Sequence, residues 1–206
     1  MKTFSIAWIT SSLLLFSMSE IIYAQPDSLR FENFSGQRGL PKIGVHQILQ
    51  DREGFMWFAT YEGLYRFDGH TATLFQHDPN DPEHTLQSNL IHAMHEDRKG
   101  RLWVGTSIGL VEVDKQTGKA TMHRPDSTKA IGWDLVKTIL EDEQGILWLG
   151  MAKGIARFDP DTKQFGLHPT GGGIYQLQQD DSGTLWTFRN GLSQFHPKTG
   201  KFVSFP

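Results

Sequence analysis

The sequence has no cysteine among its 206 residues, and its formal net charge is only −3. A chain without cysteine has no disulfide framework, so its stability must come from hydrogen-bonded strands and a packed core. The near-neutral, mixed charge provides no basic surface of the kind that nucleic-acid-binding domains use. We therefore expect no nucleic-acid partner for this segment.

No long apolar stretch follows residue 24, but the first 24 residues contain one. Lys2 is a short basic region, residues 4–18 are an apolar core, and Ala24 completes a small-residue cleavage site before Gln25. This order is typical of a secretory signal peptide, so we predict that residues 1–24 export the chain. An uncleaved membrane anchor is the alternative, although Glu20 interrupts the apolar stretch.

A motif of aspartate, glycine and tryptophan occurs four times. In each copy, Asp lies three residues before Gly and Trp lies three residues after it, and a second Gly followed by Leu or Ile comes later. The copies are Asp51, Gly54 and Trp57; Asp97, Gly100 and Trp103; Asp142, Gly145 and Trp148; and Asp180, Gly183 and Trp186. The tryptophans are 46, 45 and 38 residues apart, a period typical of propeller blades or solenoid units.

The residue types of this repeat predict four antiparallel strands per unit. Asp-x-x-Gly between two apolar runs predicts a hairpin turn, because Asp accepts hydrogen bonds from the following backbone N–H groups and Gly adopts a positive φ. The residues after each turn alternate as in a half-buried strand, and Trp offers a large apolar surface for burial between stacked sheets. One strand precedes each Asp, and two more follow the second Gly. Four such strands per unit indicate an all-β protein of the β-propeller class.

Residues 40–60 and 62–69 resemble the two-component regulator propeller repeat, and the resemblance covers nearly everything after residue 28. It implies the N-terminal sensor region of a periplasmic hybrid two-component histidine kinase, which detects a glycan-derived signal for transcriptional control. Kinase activity would belong to a missing C-terminal part, so we expect that this chain is not an enzyme. The alternatives are a propeller enzyme or lyase, and a passive protein-interaction scaffold.

The resemblance also implies an architecture and partners. We expect a signal peptide at 1–24 and propeller repeats over 28–206, as four four-stranded blades in an incomplete arc of a larger, seven-bladed propeller. The blades are predicted at 41–77, 90–123, 135–168 and 173–205, after a leading outer strand at 29–34. The implied partners are an oligosaccharide, the remaining blades and kinase part, and a second copy in a full-length homodimer anchored in the inner membrane.

Alternating strand directions divide the connecting segments between two faces of the blades. The Asp-x-x-Gly turns and the turns between third and fourth strands share one face, and their residues repeat closely. The other face holds the loops between second and third strands and between blades, and these vary. Varied loops on a rigid scaffold commonly carry ligand recognition, although they can also be unconstrained surface. The candidate ligand-binding residues, which suit a neutral or acidic saccharide, are Arg38, Tyr61, Glu62, Trp133, Lys153, Arg189 and Asn190.

Patterns for catalysis or metal binding are weak, so we expect no catalytic residue, metal or cofactor. His92 and His95 are three residues apart in a predicted strand, which directs their imidazoles to opposite faces. The acidic stretch 78–83 lacks the alternating ligands and Gly of a calcium loop. The serines in turns lack a nucleophile elbow. The repeated tryptophans could stack on sugars, but their recurrence in every unit favours a packing role.

Overall fold

The computed structural model of the protein describes residues 38–125, 135–188 and 191–205. The predicted signal peptide and the predicted leading strand at 29–34 lie outside these ranges. Every regular element within them is a β-strand. The described chain accordingly contains no helix with the length and hydropathy needed to span a membrane.

The sixteen strands form four separate four-stranded antiparallel sheets, and in each sheet the strands follow one another in chain order. The first sheet is β1 (Val45–Gln50), β2 (Met56–Thr60), β3 (Leu64–Phe67) and β4 (Ala72–Phe75). The second is β5 (Ile91–Glu96), β6 (Leu102–Thr106), β7 (Gly109–Val113) and β8 (Ala120–His123). The third is β9 (Val136–Glu141), β10 (Leu147–Met151), β11 (Gly154–Asp159) and β12 (Gln164–Pro169). The fourth is β13 (Gln176–Gln179), β14 (Leu185–Phe188), β15 (Leu192–His196) and β16 (Lys201–Ser204).

The inner strand of the fourth blade begins later than we expected from the apolar run that starts at Ile174. The reason is that the Ile174 backbone N–H donates to the carbonyl of Met151 in the third blade, at 2.9 Å. Ile174 is buried between the two blades, and the ladder with β14 begins only at Gln176.

The repeat aspartate organises the turn between the first and second strands of each blade. In the first blade, Oδ1 of Asp51 accepts hydrogen bonds from the backbone N–H groups of Glu53 and Phe55, both at 3.0 Å. Gly54 closes the turn with a φ of 93°, a conformation that a Cβ would disfavour. The predicted turn chemistry is therefore confirmed.

The same aspartate also holds the tryptophan, a contact that the sequence pattern did not suggest. Its second oxygen, Oδ2, accepts the indole N–H in all four blades, at 2.8, 2.9, 2.7 and 2.7 Å along the chain. A buried indole N–H requires such a partner. The conserved spacing of six residues from Asp to Trp thus links the turn directly to the core.

The tryptophans of the first three blades lie in the interfaces between blades. Trp57 packs with Leu86 and Met94 of the segment and strand that follow it, and Trp103 packs with Val136 of the third blade. Trp148 belongs to a third cluster, which contains Leu185 of the fourth blade. These three tryptophans are at most 3% exposed. The predicted packing role is confirmed, and the core consists of one hydrophobic layer per interface.

In each blade, a ring at the end of the outer strand or directly after it packs against the tryptophan of that blade. Phe75 and Phe205 stack on Trp57 and Trp186, with ring centroids 5.9 and 5.8 Å apart. In the second and third blades the residue is a histidine. His123 lies 5.5 Å from Trp103, and His168 lies 6.0 Å from Trp148.

The two end blades expose apolar side chains on their outward sheet faces. In the first blade Ile48 is 57% exposed, and in the fourth Phe188 is also 57% exposed. No hydrophobic cluster of the described residues joins the fourth blade to the first. The fold class is therefore confirmed as a four-bladed propeller arc. The seven blades expected for a complete propeller stay a prediction.

Candidate functional site

One side of the blades, which we call the turn face, carries the Asp-x-x-Gly turns and the turns between third and fourth strands. Ion pairs between blades show that these two sets of turns lie together. Lys115 of the second blade lies 2.9 Å from Glu53 of the first, and Lys99 of the second lies 2.7 Å from Asp161 of the third. The grouping expected from strand order is correct.

Arginine side chains on the turn face connect neighbouring blades. Arg52 donates through Nη1 to the carbonyl of Arg98 at 2.6 Å, and its backbone N–H donates to Glu96 at 2.9 Å. Arg98 repeats both contacts one blade later, with the carbonyl of Glu143 and, at 3.0 Å, with the carboxylate of Glu141. We call each pair of contacts an arginine clasp.

Lys115 adds an ion-pair cluster to the first interface. Its Nζ lies 2.8 Å from Glu96, 2.9 Å from Glu53 and 3.7 Å from Asp51. Burial alone would lower the pKa of Lys115, but the three carboxylates outweigh burial and raise it. The charges on this part of the turn face are thus already satisfied within the protein.

The third interface has neither feature. Glu143 occupies the position of Arg52 and Arg98, and a carboxylate cannot donate a hydrogen bond to the next blade. No ion pair among the described residues connects the third and fourth blades. A cleft of about 440 Å³ lies there instead, between Asp142–Gln144, Asp181–Thr184 and His196–Thr199.

The opposite side, which we call the loop face, carries the start of each inner strand. The pairing of β1 with β2 skips one residue between Val45 and Gln47, and the pairing of β5 with β6 skips one between Ile91 and Ala93. The third blade has the same irregularity after Val136. Each skipped residue is a β-bulge, which re-aims a side chain away from the ladder.

The bulged residues are His46, His92 and Lys137, and Tyr175 follows Ile174 at the same place in the fourth blade. His46 and His92 contact Tyr61, which lies in the loop after β2. The His46 and Tyr61 ring centroids are 3.7 Å apart, and those of Tyr61 and His92 are 5.8 Å apart. Lys137 Nζ lies 3.7 Å from the centroid of the Tyr175 ring. We call this set the inner row, and its members are His46, Tyr61, His92, Lys137 and Tyr175.

The inner row is accessible and carries positive or titratable groups without acidic partners. Tyr61 and Tyr175 are 52% and 57% exposed. Burial, followed by the positive charges of His46 and Lys137, lowers the pKa of His92 below its ordinary value. None of the ion pairs in the described part of the chain involves a residue of the row. The row therefore presents aromatic planes and hydrogen-bonding groups to solvent.

Gln47 fixes the first two inner strands beside this row. Its side-chain amide donates to the carbonyl of Met94 at 2.9 Å and accepts from the Met94 backbone N–H at 2.7 Å. Inner strands of neighbouring blades belong to different sheets, so this side chain replaces the missing backbone ladder between them. It holds His46 and His92 at a defined separation.

Comparison with known protein families identifies the same repeated segments that the sequence motif marks. A family model described as the two component regulator propeller matches residues 39–62 and 85–107, which include the loop, the first strand pair and the Asp–Trp motif of the first two blades. These two segments of the chain match the two-component regulator propeller repeat. The resemblance drawn from the sequence is confirmed.

A histidine kinase, P4, of Formosa agariphila is 38% identical to this chain over 71 residues. That match covers 34% of this chain and 5% of the relative, so the chain spans a small part of the kinase's length. Among solved structures, the extracellular domain assigned to the hybrid two-component system BT4673 from B. thetaiotaomicron matches with a TM-score of 0.65 and 22% identity. It covers 78% of this chain, which spans 25% of that one.

An enzyme shares the same architecture. Virginiamycin B lyase from Staphylococcus aureus matches with a TM-score of 0.58 and 13% identity, over 77% of this chain and 54% of the lyase. At such low identity, both structural matches establish the fold and carry no chemistry. The function must be argued from the site on the two-component regulator propeller blades themselves.

Among the predicted ligand-binding residues that the structure describes, one belongs to the inner row. This residue is Tyr61, which lies between His46 and His92. Glu62 and Lys153 lie on the outer-strand side of the loop face. The Glu62 carbonyl accepts from Gln76 at 2.7 Å, and the Lys153 carbonyl accepts from the Thr170 backbone N–H at 3.2 Å. Trp133, Arg189 and Asn190 lie outside the described residues.

Arg38 was expected on the loop face, and this placement was wrong. Its Nη1 donates to the carbonyl of Gly69 at 3.1 Å, and its own carbonyl accepts from Ala72 at 2.8 Å. Both partners belong to the turn between β3 and β4. The chain therefore runs along the outer edge of the first blade at Arg38 before it turns back toward β1.

The other sequence candidates have structural partners. His92 belongs to the inner row, whereas His95 lies 3.3 Å from Glu141 of the third blade. In the acidic loop, Asp78 accepts from the Asn80 backbone N–H at 2.8 Å, as in an ordinary turn. Ser107 shares a 2.8 Å hydrogen bond with Ser88. Across the described ranges, no three His, Asp or Glu side chains are grouped in a way that could hold a metal ion.

Sequence reasoning missed four members of the inner row. A signal was present, because the second residue of each inner strand differs between otherwise similar units: Val-His, Ile-His, Val-Lys and Ile-Tyr. We had assigned these positions to regular strands, and only the bulge shows that their side chains leave the ladder.

Proposed function

We propose that this chain is the ligand-sensing propeller region of a periplasmic two-component sensor of the hybrid histidine kinase type. The two-component regulator repeats and the relationship to a histidine kinase support this role. The fold shared with the extracellular domain of a hybrid two-component system agrees with it. The observation that carries the proposal is the inner row, an accessible group of rings at the loop ends of four rigid blades.

The chemistry of the inner row suits a glycan-derived ligand. Tyrosine rings stack on the apolar C–H face of a sugar ring, and imidazole, phenol and ammonium groups hydrogen-bond its hydroxyls. An apolar ligand would leave these polar groups unpaired. Trp133, Arg189 and Asn190 are proposed to contribute from neighbouring loops, and Lys153 and Glu62 from the rim.

Signal output would lie elsewhere in the full-length protein. Residues 1–24 would export the chain, a membrane anchor would follow the sensor region, and the kinase part would control transcription as a homodimer. In this arrangement the propeller region binds its ligand without catalysing a reaction. The match to virginiamycin B lyase, at 13% identity, shows a shared fold alone, so we propose no lyase activity on its basis.

A glycan screen with matched variants tests the proposal. Oligosaccharides would be screened against the 206-residue chain by thermal shift, and each hit would be measured by calorimetry. We expect Tyr61→Ala to weaken binding about tenfold, and Trp133→Ala or Arg189→Ala to weaken it by at least about fivefold, because aromatic and arginine side chains dominate binding sites. Melting temperatures should stay close to that of the parent.

Lys119→Ala, an exposed change on the turn face, serves as the control and should bind like the parent. Variants that all bind like the parent would move the site off the loop face. A screen in which no oligosaccharide binds would contradict the proposed sensing of a glycan.

A further inference from the structure

Lys137 has an unusual environment among the lysines of this protein. It is half-buried at a β-bulge, and its Nζ lies over the face of the Tyr175 ring at 3.7 Å. An aromatic face attracts the ammonium group but does not neutralise it. A half-buried cation that lacks a carboxylate partner keeps its capacity to attract an anion.

Other lysines with charged contacts are neutralised by carboxylates. Lys115, Lys99 and Lys163 pair with acidic residues at distances between 2.7 and 2.9 Å. Lys137 forms no ion pair with any of the described residues, and neither does His46 or His92 beside it. Within the inner row, Lys137 is therefore a cation without a carboxylate partner among the described residues.

The cleft on the turn face has the opposite character. Asp142, Glu143 and Asp181 line it, with Lys198 and His196 at one side. These carboxylates would repel an anion, whereas the inner row would attract one. The cleft and the inner row thus differ in the sign of charge that they favour.

On the basis of the proposed sensor function, we propose that the inner row binds an anionic saccharide. Its carboxylate or sulfate contacts the ammonium group of Lys137, and its sugar ring stacks on Tyr61 or Tyr175. His92, whose ring lies 5.8 Å from that of Tyr61 in the same row, donates a further hydrogen bond to the anionic group or to an adjacent hydroxyl. The bulges give three successive blades the same geometry for this purpose.

An oligosaccharide array that presents each sugar backbone in neutral, uronic-acid and sulfated forms tests this inference. The wild-type chain should bind an acidic form at least about tenfold more tightly than its neutral counterpart, because hydrogen bonds to charged groups are the stronger ones. Added salt should weaken binding of the acidic form only. The uronic-acid and sulfated forms distinguish the two sources of negative charge.

Three variants locate the effect. Lys137→Gln should abolish the preference for the acidic form, because it should weaken binding of the acidic form far more than binding of the neutral form. Lys137→Arg should restore most of the preference, because it keeps the charge. Lys119→Gln removes one charge from the turn face and should leave the preference intact.

The outcomes separate this inference from the proposed function. If the neutral forms bind as tightly as the acidic ones, or if Lys137→Gln and Lys119→Gln behave alike, the anionic ligand is wrong and the sensor role stands. If no member of the array binds, the glycan-sensing function itself is contradicted. Thermal unfolding of each variant ensures that any loss of binding occurs in a folded protein.

Discussion

The turn face and the loop face of the same blades use their residues in opposite ways. On the turn face, an aspartate in every blade accepts two backbone N–H groups and one indole N–H, with distances that differ by only about 0.2 Å between blades. On the loop face, one position near the start of each inner strand differs in residue type between blades. It is occupied by His46, His92, Lys137 and Tyr175 along the chain. Residues that repeat across blades stabilise the fold, and residues that vary at a fixed position are free to recognise a ligand.

The largest test of this comparison is a pair of substitutions in the second and third blades. Trp103→Ala should lower the free energy of unfolding by about 3–5 kcal/mol, because it leaves a cavity in the interface between blades. Lys153→Ala on the loop face should change it by less than about 0.5 kcal/mol. Chemical denaturation measures both changes, and equal midpoints for the two variants would contradict the assigned register.

A second pair of substitutions compares a buried turn with an exposed turn on the turn face. Asp97→Ala should cost about 2–4 kcal/mol, because it leaves the buried indole N–H of Trp103 and the N–H groups of Arg101 without an acceptor. Burial alone would raise the pKa of Asp97, but these hydrogen bonds hold it below its ordinary value.

Asp114→Ala is the matched control for Asp97→Ala. Asp114 caps an exposed turn through the N–H groups of Gln116 and Thr117, and its loss should cost less than about 1 kcal/mol. Thermal melts of the two variants at pH 7 would decide the matter. A cost for Asp114→Ala as large as that for Asp97→Ala would show that the indole contact contributes little.

The smallest expected effect concerns the contact between the tryptophan of each blade and the ring that packs on it at the end of the outer strand or directly after it. This ring is phenylalanine in two blades and histidine in the other two. His123 and His168 occupy the place of Phe75 and Phe205 against the tryptophans, and burial lowers the pKa of both. Lys163 lowers the pKa of His123 further, and Glu112 opposes this; Arg157 lowers the pKa of His168.

A lowered histidine pKa means that the unfolded chain binds more protons than the folded one. The free energy of unfolding should therefore carry no penalty from these histidines above the unfolded pKa of about 6.5. It should decrease as the pH falls below that value. The double variant His123→Phe/His168→Phe should lose less stability than the parent between pH 7 and pH 5, as measured by denaturant midpoints. If the denaturant midpoints of the parent and of the double variant fall equally with pH, the acid sensitivity belongs to other groups.

Much of the fold could be predicted because its determinants are local. The Asp-x-x-Gly spacing specifies a turn, and the alternation that follows it specifies a strand, so four copies indicate four blades. The path of the chain between blades is not local, which explains the wrong placement of Arg38. A bulge likewise leaves the strand pattern intact, so Lys137 was not recognised as a site residue. Tyr175 was assigned to a strand that in the structure begins only at Gln176. Tyr61 was identified because it lies outside the repeat.

The third interface lacks an arginine clasp, and this difference affects which pair of neighbouring blades should separate most easily. Separation of the first or second interface breaks ion pairs as well as a hydrophobic cluster, and added salt weakens the ion pairs. Separation of the third breaks the cluster around Trp148 and Leu185 but, among the described residues, no ion pair. We therefore expect partial opening of the native state to begin with detachment of the fourth blade, which is held by this cluster and by the backbone hydrogen bond from Ile174 to Met151, and we expect added salt to change that opening little.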